Sequence, residues 1–277
     1  MTPPDPELIR AKARFLREET VRLISIAKTG HYASSFSCAE ILAVLYGGVL
    51  RVRAGEPNWP ARDRFLLGKG HAAVALYPLL AELGYIPQTE LDGYTRLGSP
   101  LGDHPDMRRI PGVDFSSGSL GHALSAGLGM ALAAPLVGQT YDVYVLLGDG
   151  ELHEGQVWEA ALAAGHRRVR NLIAIVDRND FSLDGPVEQV VGLEPLADKW
   201  RAFGWQVSEV DGHDVDALLG TFGAIASDEA RSRPAVVLAR TVKGKGVGFM
   251  EREHGWHLGY LDAVDEERVR AELRGTA

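Results

Sequence analysis

Residues 141–184, YDVYVLLGDGELHEGQVWEAALAAGHRRVRNLIAIVDRNDFSLD, constrain the fold more than any other stretch of this chain. Residues 141–147 are a short apolar, β-branched run of the kind that fills a buried strand. Gly148-Asp149-Gly150 interrupts it, because two glycines let the chain turn sharply and lie close to a ligand. Residues 156–166 are rich in Ala and Leu, which favour a helix. Residues 172–176 read as a second strand, ended by Asp177-Arg178-Asn179-Asp180. A strand–helix–strand unit makes two parallel neighbours whose carboxyl ends share one edge, so Asp149 and Asn179 are expected side by side. A carboxylate and an amide oxygen beside a helix N-terminus suit a hard divalent cation and an anion together, and a diphosphate with Mg2+ fits.

The same alternation extends along the chain. Apolar residues at helical spacing predict a helix over residues 6–28 with Thr29-Gly30 as its C-cap. Residues 31–37, HYASSFS, read as a loop of small residues, and Ser37 reads as the N-cap of a second helix over 38–50. A strand at 63–67 leads into Gly68-Lys69-Gly70-His71 and a helix at 72–83, a second strand–glycine-turn–helix unit. Residues 97–119 have no regular pattern, and a loop of that length in a compact domain is functional or flexible. A small-residue helix follows at 120–134, then, beyond the central unit, a helix at 195–203, a strand at 205–210, a helix at 215–226, a strand at 234–240, a glycine-lysine loop at 241–248 and a charged helix at 262–274. Alternating strands and helices imply an α/β fold, a doubly wound parallel sheet flanked by helices, with the ligand at the carboxyl ends of the strands. Without repeats or a clear linker, one domain over 1–277 is expected, with an N-terminal helical extension at about 6–50.

Charge and composition narrow the partners. The formal net charge is −8, and no Lys/Arg cluster is interleaved with aromatics, which argues against nucleic acid. A single cysteine, Cys38, excludes a disulfide framework or a cysteine metal cluster. The charged N-terminus has no apolar signal core, and no run approaches the roughly 18 apolar residues of a membrane span. A cytoplasmic protein is the expectation.

Four ordered segments, DRFLLGKGHAAVALY, LGDHPDMRRIPGVDFSSGSLGHALSAGLGMALA, GDGELHEGQVWEAAL…NLIAIVDRNDFSLDG and ARTVKGKGVGFM, together resemble the thiamine-diphosphate-binding domain of transketolases over about residues 10–260. A whole transketolase carries three domains, so the resemblance implies the N-terminal subunit of a split enzyme in preference to a piece cut from a longer chain. It implies thiamine diphosphate with Mg2+ or Ca2+, the metal held by Asp149, Asn179 and the Phe181 carbonyl. Gly148 belongs to the same turn, and Gly150 would offer its N–H to the diphosphate. His71 and His257 would reach the diphosphate or the thiazolium; His254 lies nearby, but His257 has the Trp-His pairing seen in the family. Lys243 would add charge near the diphosphate, Gly118 and Leu120 would touch the aminopyrimidine, and His31 and His104 would line a sugar channel and assist proton transfers. Glu154 resembles a residue that communicates with the cofactor's activating glutamate, whereas Glu159 reads as an ordinary helix residue.

One departure stands out. The segment after Gly30 is usually His followed by small residues and glycines; here Tyr32 and Phe36 are expected to add bulk near the channel, which fits a specialised two-carbon transfer. The resemblance implies transfer of a two-carbon ketol unit from a ketose, or its phosphate, to an aldose. The activating glutamate belongs to a pyrimidine-binding domain not found in this sequence. A C-terminal partner subunit is therefore expected, in a heterotetramer. Two other readings stand beside this one: a ketoacid dehydrogenase or decarboxylase component using the same cofactor, against which the histidine set argues, and a non-catalytic nucleotide-binding or scaffold module, for which no GxGxxG or Walker motif speaks.

Overall fold

In the computed structural model, which describes residues 4–275, five strands form one sheet in the order β1-β2-β3-β5-β4 with every neighbouring pair parallel. The strands are β1 (Arg64–Leu67), β2 (Val143–Gly148), β3 (Leu172–Arg178), β4 (Gln206–Asp211) and β5 (Ala235–Arg240). The helices are α1 (Pro6–Ala27), α2 (Tyr32–Ser37), α3 (Ala39–Val44), α4 (Ala73–Glu82), α5 (His122–Leu136), α6 (Gly155–His166), α7 (Val187–Val190), α8 (Leu196–Ala202), α9 (Val215–Ser227) and α10 (Ala263–Gly275).

Side chains alternate along each strand and so feed two separate cores. Val143, Val145 and Leu147 of β2 pack with Leu172 and Val176 against α5, α6 and α8. Tyr144, Leu146, Ile173 and Ile175 pack on the other face, among α1, α3, α4 and α9. The chain advances from β1 to β3, passes to the edge strand β4, and returns to place β5 between them. Parallel crossovers are right-handed, so this reversal moves the connecting helix to the opposite face. α9, between β4 and β5, accordingly lies opposite α6 and α8. Gly127 of α5 faces the sheet where a Cβ would come within 2.6 Å of Val145, so the small residue sets how closely this helix approaches β2.

α1 and α3 are part of one covering layer: Leu16, Leu23 and Ile24 of α1 and Ile41 and Leu42 of α3 are fully buried in the same cluster as α4 and α9. Several local expectations change. α1 ends before Thr29-Gly30; Lys28 itself takes the left-handed conformation (φ 59°) and its N–H bonds Ile24 O at 2.8 Å. Residues 31–37 are no loop, for α2 occupies 32–37 with His31 at its N-cap. Tyr32 and Phe36 are fully buried, edge to face at 6.2 Å, so their bulk enters the core and not a channel. Ser37 caps no helix: its hydroxyl bonds Ser34 O at 3.0 Å and Asp177 Oδ2 at 2.6 Å, and the helix expected over 38–50 breaks into α3 and a wide turn at Leu45–Val49.

Candidate cofactor site

Strand ends β1, β2, β3 and β5 converge on one cleft, about 270 Å3 in volume, where the chains leaving adjacent strands diverge to opposite faces of the sheet. Such a divergence leaves a crevice at the carboxyl edge. Its walls include Lys69 and His71 after β1, Gly148, Asp149 and Gly150 after β2, Asn179 and Phe181 after β3, and Lys243 after β5. Glu154, also after β2, and Leu120, Ser34 and His257 from other segments line it as well.

The turn after β2 is tied to the turn after β3. Asp149 accepts the Gly150 N–H at 2.8 Å through Oδ1 and the Asp180 N–H at 2.6 Å through Oδ2. Burial first, then the negative field of Asp177, raises the Asp149 carboxyl to about 7. A buried carboxylate in that condition favours a cation beside it. Asn179 turns its amide NH2 toward Asp177 at 3.4 Å, and its Oδ1 accepts the Phe181 N–H at 3.2 Å. A Cβ on Gly150 would lie 3.1 Å from Ser182 Cβ and 3.2 Å from its Cα, so a side chain here would press on Ser182 and crowd the turn.

Beneath the cleft lies a charge pair. Lys69 and Asp177 form an ion pair with side chains 1 % and 0 % exposed. Lys69 Nζ also donates to Ser34 O at 2.8 Å, and Asp177 accepts from the hydroxyls of Ser37 and Thr241. Burial alone would raise Asp177, but the Lys69 charge and these donors bring it below its ordinary value. Glu151 is a third buried carboxyl, next to the Gly148–Gly150 turn but given no role by the sequence reading. It accepts from Gly121 N at 2.9 Å and Gly148 N at 3.1 Å, pinning the start of α5 to the end of β2, and burial raises it to about 7.

Four imidazoles gather at one end. His31 lies 5.2 Å from His71 and 5.1 Å from His257, ring centre to ring centre, and His71 lies 5.1 Å from His257. His104 is 6.2 Å from His31. Burial holds His71 well below its usual pKa and, with the field of Lys243, lowers His257 to about 3, so both rings are neutral. Lys243 is lowered to about 8 by burial and by Lys69, and its Nζ donates to Ser182 O at 2.9 Å. Asp103 bridges His31 Nδ1 at 3.3 Å and the Tyr94 hydroxyl at 2.8 Å, a positioning contact with no signal in the sequence beyond its place beside His104.

The sequence-derived residues divide clearly. His71, Leu120, Gly148, Asp149, Gly150, Glu154, Asn179, Phe181, Lys243 and His257 line the cleft. His31, His104 and Gly118 do not line it but extend it: His31 and His104 through ring contacts, Gly118 because a Cβ there would sit 3.4 Å from His104. His254 is exposed and outside the walls.

The residues fit a metal diphosphate. Among the described residues no group of three or more His, Cys, Asp or Glu side chains is placed to hold a metal. The oxygens of Asp149, Asn179 and the Phe181 carbonyl, with no thiolate or imidazole among them, are the donor type that would suit a hard cation beside a diphosphate. Two buried polar atoms on the cleft walls, Ser34 Oγ and His257 Nδ1, have no partner in the protein, which is the condition of groups that await a ligand.

Comparison with known proteins places the chain in a family. Residues 9–275 match the family model described as transketolase, thiamine diphosphate binding domain, and the chain belongs to that family. It is 42% identical over 249 residues to the 6-deoxy-6-sulfo-D-fructose transketolase subunit SqwG of a Clostridium species, covering 90% of each chain. It is 39% identical over 272 residues to an apulose-4-phosphate transketolase subunit of Phocaeicola vulgatus, covering 96% of each. Against full-length transketolases it is a part: it spans 43% of the rat enzyme, at 38% identity over 98% of this chain. The crystal structure of Campylobacter jejuni transketolase superposes with a TM-score of 0.90 at 26% identity, over 97% of this chain and 43% of that one.

Proposed function

We propose that this chain is the cofactor-binding subunit of a two-chain, thiamine diphosphate-dependent transketolase that moves a two-carbon ketol unit from a ketose or ketose phosphate to an aldose. The observation that carries the reading is the single cleft in which Asp149, Asn179 and Phe181 meet His71, Leu120, Lys243 and His257. Relatives named as transketolase subunits, matched along nine-tenths or more of both lengths, support the two-chain arrangement. The assembly is a cytoplasmic heterotetramer, two copies of each chain.

Asp149, Asn179 and the Phe181 carbonyl would hold Mg2+ or Ca2+, and the Gly150 N–H and Lys243 would meet the diphosphate. Bound thiamine diphosphate supplies the electron sink for the two-carbon unit. The chain's own side chains do the rest. Neutral His71 and His257 accept or donate hydrogen bonds without adding charge. His31, oriented by Asp103, keeps Nε2 free of any partner among the described residues and is placed with His104 to move protons at sugar hydroxyls. Gly118 and Leu120 would seat the aminopyrimidine, and Glu154 would face the partner's activating carboxylate.

The test assays ketol transfer by the purified chain alone and with its partner, alongside cofactor binding followed by tryptophan fluorescence. Turnover only in the mixture is expected, and Asp149→Asn should weaken Mg2+-dependent thiamine diphosphate binding by at least about tenfold, the loss of one charge-assisted contact. Full turnover by the lone chain refutes the two-chain reading; unchanged binding in Asp149→Asn refutes the assigned metal site.

A further inference from the structure

At the opposite, amino-terminal edge of the sheet lies a second cavity of about 820 Å3. It is lined by His166 and Arg168 from the end of α6, and by Asp228, Arg231, Ser232 and Arg233 from the segment that enters β5. Three arginines against one aspartate make it a basic recess in a chain of net charge −8.

Arg231 is the informative residue. It is only 7 % exposed, and its Nε and Nη1 are buried without any hydrogen-bond partner. Arginine almost never loses solvent without an acceptor, because a desolvated guanidinium is costly unless an anion meets it. Acceptors lie at the same edge: α6, α8 and α9 all end there, where helix C-termini leave carbonyls without intrahelical donors, and of the charged groups acting on Arg231, Asp142 and Asp228 favour its charge while Arg170 opposes it. Nε and Nη1 nevertheless donate to none of them. Arg168 and Arg233 form no ion pair among the described residues, although surface arginines elsewhere in the chain find carboxylates readily. Arg168 moreover adopts φ 53°, a left-handed conformation usually left to Gly or Asn at a helix C-terminus. An ordinary solvated arginine cluster explains Arg168 and Arg233, and it does not explain a buried, unpartnered Arg231.

We propose that this recess binds a small tetrahedral oxyanion, free phosphate or the phosphate head of an ester, with Arg231 as its central ligand and Arg168, Arg233 and Ser232 around it. Guanidinium donors match the oxygen geometry of such an anion. The site is separate from the cofactor cleft, so its occupancy would bias stability or assembly from the far edge of the sheet.

The experiment is thermal unfolding of the full chain with saturating thiamine diphosphate and Mg2+, which blocks phosphate at the cofactor cleft. Inorganic phosphate and glycerol 3-phosphate are titrated at ionic strength matched with sodium chloride. A saturable rise in Tm is expected, and the tighter of the two probes identifies the free ion or the ester as the ligand. Arg231→Met should abolish the response and raise the phosphate-free Tm, because it removes an uncompensated buried charge. Arg168→Gln and Arg233→Gln, at more accessible positions, should fold normally and weaken the apparent Kd by roughly tenfold, the loss of one charge-assisted hydrogen bond. A response no greater than that to sodium chloride, or one of equal affinity in Arg233→Gln, Arg168→Gln and the unmodified chain, overturns the proposal.

Discussion

Replacing Lys69 with Met should destabilise this protein more than almost any other single change near the cleft. The ammonium lies under the site, paired with an Asp177 that has no access to water. The methionine fills most of the volume, so the cost is mainly electrostatic. Removing one partner of a buried pair typically costs about 3–5 kcal/mol, because the other charge is left uncompensated. Here the Ser37 and Thr241 hydroxyls still donate to Asp177, which moves the expectation to the lower end, about 3 kcal/mol. For a domain of this size each kcal/mol is worth about 2–4 °C, so Tm should fall by roughly 6–12 °C. Urea unfolding of the chain, Lys69→Met, Asp177→Asn and the double variant gives the coupling directly. The double variant should recover most of the loss, since no charge remains to strand. Equal destabilisation in the single and double variants, or a loss below about 1 kcal/mol in Lys69→Met, would show that the pair does not carry the electrostatics argued from its burial.

Two other perturbations test the surrounding frame. Burial opposes ionisation of Glu40, but its two bonds to Arg17 at 2.6 and 2.7 Å, with His213 at 2.9 Å, bring the carboxyl from 4.5 to about 2. A depressed carboxyl contributes stability that is complete above pH 4.5 and lost as pH falls toward about 2. The loss should total about 3 kcal/mol and be missing from the acid limb of Glu40→Gln; identical limbs in denaturant titrations would contradict it. Gly165→Ala should fail to fold or lose upward of about 3 kcal/mol, since its Cβ would fall 1.7 Å from Phe203 O, and a variant within about 1 kcal/mol of the original in urea unfolding would refute that packing.

Legibility differed from residue to residue for physical reasons. Asp149, Gly150 and Asn179 were readable because glycine turns and strand ends impose position within a few residues of chain. Tyr32 and Phe36 were misread, since neighbouring small polar residues mimic a loop; burial under α1 and beside α4, contacts remote in sequence, makes that segment helical. Lys69, Asp177 and Glu151 carried no motif that separates a buried ion pair or pin from an ordinary turn charge. Their roles depend on having no water around them, which is a property of the packed molecule.

By itself the chain determined the parallel α/β alternation and the cradle from Gly148 to Gly150 with Asn179, because strand period, helix composition and glycine turns act locally. Only the tertiary structure decided that β5 lies between β3 and β4, and hence that Lys243 reaches the same cleft as Asp149. It alone set His31, His71 and His257 within about 5 Å of one another, from segments at both ends of the chain. Distances of that kind are fixed by how two cores close on one sheet, and burial then sets the charge state of each group placed there.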